Sequence, residues 1–209
     1  MHSSLQLVLA SRNQGKIQEI KAILQGVKPG IQVLGLDSFP ALGSIPEPGS
    51  TFQENALHKA RLVAEKTGLL SLADDSGLEV DALQGAPGVY SARYSGPNAP
   101  DQKNNQKLLQ ELQSVPLQQR SARFVCVLAI CAPGGEYSLS QGTWEGRITM
   151  QPRGDKGFGY DPLFEDPNLG KTAAELEPKE KNRLSHRAQA LEDFAKKLPG
   201  FLQKLQLAD

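Results

Sequence analysis

Strand and helix patterns alternate over the first third of this chain, and that alternation constrains the fold most. "LQLVLA" (5–10) is apolar with little alternation, the pattern of a strand buried on both faces. A helix follows from about Gly15 to Leu24, with Ile17, Ile20, Ala22, Ile23 and Leu24 as its stripe. "IQVLGL" (31–36) reads as a second strand. Thr51 opens a second helix, Glu54 completes a capping box, and Gly68 ends it. Its stripe is Ala56, Leu57, Ala60, Val63 and Ala64. The apolar run Leu69–Ala73 is a third strand, expected to stop at Asp74.

The order then changes. Leu78–Val80 reads as a separate short strand, and 100–113 as a helix. The segments 122–132 and 137–149 read as long strands around a Pro-Gly-Gly turn. Lys179–Leu207 is helical, with a break expected at Pro199-Gly200. A β-α-β-α-β start followed by antiparallel strands predicts an α/β fold, an elongated mixed β-sheet flanked by helices. We expect one two-lobed domain over 1–209 with a central cleft. Ligands in such sheets sit beyond the carboxyl ends of strands. Polar clusters follow Ala10 and Ala73.

The charge balance narrows the function. Lys+Arg and Asp+Glu are both 23 in 209 residues, so no global field draws in a nucleic-acid polymer. An anionic ligand must be held locally. The two cysteines, Cys126 and Cys131, fit no metal or redox spacing and read as buried free thiols. No signal peptide and no membrane span is read, so the expected location is cytoplasmic.

Four clusters carry chemistry. "SRNQGK" (11–16) links a strand to a helix, and helix N-termini favour phosphate. Lys16 in a first helical turn opposes the helix dipole, which suggests an anion there. The plainer reading is an ordinary β–α turn with a solvated lysine. Asp74 and Asp75 are adjacent carboxylates, costly to desolvate together. On a strand they point to opposite faces, and a hard Mg²⁺ ion would relieve their repulsion. Alternatively "DDSG" is a capped turn. "GDKGFGYDP" (154–162) is a glycine-rich loop whose Phe158 or Tyr160 could stack on a base, or could pin the loop to the core. In "EKNRLSHRAQAL" (180–191), Lys181, His186 and Arg187 converge only if the helix breaks, with Ser185 capping a new one. The stripe of that second helix would be Ala188, Leu191, Phe194, Ala195 and Leu198. Otherwise they form a solvated basic face. Glu47 lies on the Pro/Gly-rich loop 43–49.

Metal-binding carboxylates, a phosphate turn and an aromatic loop together describe a nucleoside triphosphate site. "LVLASRNQGKIQEI", "ADDSGLEVDALQGAPGVYSARYSG", "GFGYDPLF" and "EKNRLSHRAQAL" also resemble the inosine triphosphate pyrophosphatase family, over about Leu5 to Leu198. The resemblance implies Mg²⁺-dependent hydrolysis of dITP, ITP and XTP to a monophosphate and pyrophosphate, and a homodimer. It assigns Asp75 as catalytic residue and metal ligand, and Glu47 as a second metal ligand. It gives substrate contacts to Ser11, Arg12, Asn13, Gln14, Gly15, Lys16 and Ser76. Base recognition falls to Phe158, Gly159, Tyr160, Asp161, Lys181, His186 and Arg187. The family's own label for Asp75 is general base. With an ordinary carboxyl pKa of ~3.9, an aspartate that orients water and metal is the physically favoured role. The alternatives are a non-enzymatic nucleotide sensor and a pyrophosphatase for modified pyrimidine or methylated nucleotides.

Overall fold

The strands fall in the order β2-β1-β3-β4-β5-β6-β7 in one sheet of a computed structural model. That model describes residues 5–27 and 30–206. The expected helix end at Leu207 and the first residues, "MHSS", lie outside them. The strands are β1 (Gln6–Leu9), β2 (Gln32–Gly35), β3 (Leu70–Val80), β4 (Ser121–Cys131), β5 (Tyr137–Ile148), β6 (Phe164–Asp166) and β7 (Lys171–Thr172). The helices are α1 (Gln14–Val27), α2 (Phe52–Thr67), α3 (Asp101–Glu111), α4 (Pro178–Leu184) and α5 (His186–Lys204). β1 pairs in parallel with β2 and with β3. β6 pairs antiparallel with β5 and with β7. The mixed sheet expected from the element order is therefore the one observed.

The chain forms two compact units. One takes the residues up to Asp75, Cys126–Gly142, and those from Arg187 onward. Its core joins Leu7 and Leu9 of β1, Ile20 and Leu24 of α1, Leu72 of β3, and Leu191, Phe194 and Leu198 of α5. The other takes Ser76–Val125 and Thr143–His186. Its core joins Leu78, Leu108, Phe124, Trp144, Tyr160 and Phe164. There the buried guanidinium of Arg120 donates to the carbonyls of Val115, Thr149 and Leu112.

Local signals set the element ends. Thr51 accepts from the Glu54 N–H, and Glu54 accepts in return from the Thr51 N–H, the capping box expected for α2. Gly68 closes α2 at φ +68°, where a Cβ would be strained. Thr51→Ala is expected to cost about 1 kcal/mol of stability, read as a lower urea midpoint with unchanged slope.

Two boundaries differ from expectation. β3 does not stop at Asp74; it runs on to Val80, so "DDSG" is strand and not turn, and Leu78–Val80 is no separate element. Turn-forming residues are overridden here by buried partners for both carboxylates, described below. Nor does the last helix break at Pro199-Gly200. α5 passes through Pro199, with Leu198 and Phe201 buried on either side of it. Two anchored apolar side chains outweigh the N–H that Pro199 lacks. The break lies instead at Ser185, extended at φ −65° and ψ 158°, the cap of a new helix that was one of the two readings.

Candidate active site

The first cluster grows from the turn after β1. Asn13 precedes α1, and its carboxamide accepts from the Lys16 N–H at 3.1 Å. The Ser11 hydroxyl in turn accepts from the Asn13 N–H at 3.3 Å. Arg12 donates to the Gly43 carbonyl at 3.0 Å and ties the turn to the loop before Glu47. Gln14 is exposed, and Gly15 sits beside it in the first turn of α1. Lys16 reaches Asp74. An anion beside Lys16, which its placement suggests, is thus supplied by the chain itself.

Asp74 and Asp75 lie in mid-strand, with only 1% and 6% of their surfaces exposed. Neighbouring residues on a strand face opposite ways, and each carboxylate has its own partners. Asp74 takes Lys16, the Arg187 guanidinium at 3.5 Å and the Cys126 thiol at 3.1 Å. Burial alone would raise its carboxyl pKa. Lys16 and Arg187 overcome that and hold it well below the usual carboxylate range. Burial also pushes the Cys126 thiol up, and Asp74 adds to the effect, so the thiol keeps the proton it donates. Both cysteines are buried and free, as expected.

Asp75 faces α2. It accepts from Asn55 at 3.2 Å and from the Lys59 ammonium at 2.9 Å. Lys59 also donates to Glu47 at 2.6 Å, so two carboxylates from different elements converge on one cation. Asn55 fixes the Glu47 loop as well, by accepting from the Gly49 N–H at 2.7 Å. A Cβ on Gly49 would lie 2.6 Å from that of Glu54, so only glycine lets the loop pack against α2 this closely. Burial pushes the Asp75 carboxyl up, opposed by Lys59 and Lys16 and assisted by Glu47. Burial disfavours the Lys59 charge, but Asp75 and Glu47 outweigh it and raise its pKa.

The sequence reading missed Asn55 and Lys59. A signal existed: both interrupt the buried stripe of α2, where Ala56, Ala60, Val63 and Ala64 are fully buried. A lysine on a buried face needs a partner.

The second unit gathers most of the other candidates. Asp161 accepts from the Phe158 N–H at 2.9 Å and from Lys181 at 2.5 Å. Gly157 makes room for this: at φ +75°, its Cβ would lie 2.0 Å from an Asp161 oxygen. The Lys181 ammonium sits 4.9 Å from the Phe158 ring centroid. Pro178, at the first position of α4, removes an N–H that had no helical partner. His186 stacks on Phe124, with centroids 4.8 Å apart and planes at 15°. Lys181, His186 and Arg187 are all buried, which excludes a solvated basic face. Gly159 donates its N–H to Asp101 at 2.6 Å, and its carbonyl accepts from Asn105 at 3.0 Å. Tyr160 is buried, with its hydroxyl on the Ser91 carbonyl at 2.9 Å, so its ring pins the loop to the core. Ser76, half-buried on β3, opens this unit.

Residues 7–197 match the profile of the Ham1 family. The chain belongs to the Ham1 family. Relatives span nearly its whole length. A protein of Nitratidesulfovibrio vulgaris named dITP/XTP pyrophosphatase is 54% identical over 201 residues, 93% of this chain and 96% of its own. A dITP/XTP pyrophosphatase of Geobacter sulfurreducens is 55% identical over 185 residues, 88% of this chain and 92% of its own. Among solved structures, a HAM1 protein from Coxiella burnetii superposes with a TM-score of 0.84 at 46% identity, covering 93% of this chain and 98% of its own. These matches establish the family and the ITPase-like fold that the four motifs implied.

Proposed function

We propose that this chain hydrolyses non-standard purine nucleoside triphosphates (dITP, ITP and XTP) to the monophosphate and pyrophosphate, with Mg²⁺ as cofactor. The observation that carries the reading is the convergence of Glu47 and Asp75 on the Lys59 ammonium. Two hard oxygen donors already face one cationic point, which suits a divalent ion. Among the described residues, no group of three or more His, Cys, Asp or Glu could hold a metal. The remaining ligands would then be water and phosphate oxygens, as Mg²⁺ prefers. When bound, the ion would offset charge on the phosphate oxygens and acidify a coordinated water.

The chain's own residues do the rest. Lys16 and the N–H groups that open α1 hold the triphosphate, with Asp74 fixing the lysine. Asp75 orients the attacking water and accepts its proton. Phe158 stacks on the base. Donors at Lys181 and His186 suit the position-six oxygen of hypoxanthine and xanthine. Adenine presents an amine there and would leave donors facing donors, at about 1–3 kcal/mol for each unpaired buried group. Guanine shares that oxygen and must be rejected at its position-two amine. The names of the relatives support this choice of substrates. No described helix is long and apolar enough to cross a membrane. The homodimer and the cytoplasmic location belong to the same proposal.

Substrate comparison tests it. Turnover of XTP, ITP and dITP should exceed that of dATP and GTP by roughly 5- to 150-fold for each rejected group, at the magnitudes above. Equal turnover of all five would overturn the assigned specificity. Binding of ITP without any turnover would favour the sensor.

A further inference from the structure

We infer that Asp101 and Asn105 are positioning residues for base recognition: they clamp the peptide of Gly159 from both sides and so hold Phe158 in place. The inference rests on the function proposed above, in which Phe158 stacks on the base. Asp101 opens α3 and Asn105 follows one turn later, so the two share a face of that helix. The Asp101 carboxylate accepts from the Gly159 N–H at 2.6 Å, and the Asn105 amide donates to the Gly159 carbonyl at 3.0 Å. One residue of the glycine-rich loop thus has both of its backbone polar groups held by side chains of one helix. Gly159 stands at φ +61°, and a residue with that freedom keeps one orientation only when its neighbours impose it.

The helix that carries the clamp is itself anchored. Asn104, buried beside Asn105, accepts from the N–H and the hydroxyl of Ser95, both at 2.8 Å. The loop returns to the same segment, where the Tyr160 hydroxyl donates to the Ser91 carbonyl at 2.9 Å. Helix, 91–95 segment and base loop therefore close a ring of contacts inside one compact unit. Phe158 sits at the point where that ring meets the loop. The peptide group before it is held by Asp161, which accepts the Phe158 N–H at 2.9 Å. The peptide group after it is held by Asp101 through the Gly159 N–H. An aromatic ring whose backbone is fixed on both sides is in place before a base arrives, which removes an ordering cost from binding. Neither Asp101 nor Asn105 is assigned a contact with substrate; both act through Phe158.

The test uses Asn105→Asp, Asp101→Ala and Asp101→Asn in the full chain, with inorganic tripolyphosphate as a probe that has no base. Asn105→Asp keeps the size of the side chain but turns an acceptor toward the Gly159 carbonyl. It should lower kcat/KM for XTP about 10- to 100-fold, as a slight misplacement of a binding group does. The loss should lie in KM, with kcat nearly unchanged, as for binding that ground state and transition state share. Tripolyphosphate binding in calorimetry should not change. Asp101→Ala should give the same pattern, and Asp101→Asn, whose amide oxygen still accepts from the Gly159 N–H, should recover part of the loss. In a Phe158→Ala background, Asn105→Asp should add less than about twofold, because the clamp acts through that ring. Unchanged XTP kinetics in a folded variant would overturn the inference, as would equal losses for XTP and tripolyphosphate, or additive losses in the double variant. Should Asn105→Asp fail to fold, Asp101→Ala changes an exposed residue and carries the same test. Should the wild type turn over nothing, the proposed function fails, and calorimetric binding of XTP against tripolyphosphate still decides the role of the clamp.

Discussion

Asp75→Asn is expected to lower kcat for XTP by about 10²–10⁴-fold, the range for losing a positioned proton acceptor. The fold should survive. The amide oxygen can still accept from Lys59, which keeps Glu47 as an anionic partner at 2.6 Å. Asp74, with its separate partners Lys16, Arg187 and Cys126, is untouched. A circular-dichroism melt near that of the wild type, together with lost turnover, is the predicted pair of results. Wild-type turnover would remove Asp75 from the chemistry. Lost turnover with a collapsed melt would mean that the carboxylate mainly holds the first unit together.

Lys59→Met should have the largest effect on stability. It leaves Asp75 and Glu47 facing each other without a cation, and Asp75 is only 6% exposed. Removing one partner of a buried ion pair costs about 3–5 kcal/mol. The distinctive expectation concerns the metal. The vacated point is one on which two carboxylates converge, so Mg²⁺ should restore stability in the variant more than it stabilises the wild type, by mass action. Urea midpoints of both proteins, with chelator and with Mg²⁺, check this. No Mg²⁺ stabilisation of either protein would show that Glu47 and Asp75 do not form the ion's site.

Much of this was legible in the sequence, because the legible parts are local. The capping box at Thr51, the stop at Gly68 and the break at Ser185 each follow from a few neighbouring residues and their dihedral preferences. The apolar run of β1 says that it is buried, and the α1 and α5 side chains packed on Leu7 and Leu9 explain why. What failed depends on residues far apart in the chain. "DDSG" reads as a turn because its residues make good turns, but Asp74 meets Lys16 and Arg187, from 58 positions before and 113 after. With those partners in place, two carboxylates can stand in a buried strand. Arg187 illustrates the same limit. Its motif was visible, yet only the fold shows which anions surround it. Lys59 was hidden differently: its helix was read correctly, and its place on the buried stripe was left unexamined.

The most direct test of the central claim is the identity of the products. Wild-type protein, XTP and Mg²⁺ would be incubated and followed by phosphorus NMR. Pyrophosphate and the monophosphate in equal amounts, with no signal from orthophosphate, is the predicted outcome. Orthophosphate and the diphosphate would show that the outer phosphate bond is cut. That result would contradict the assignment of Lys16, Asp75 and Glu47 to cleavage between the α and β phosphates.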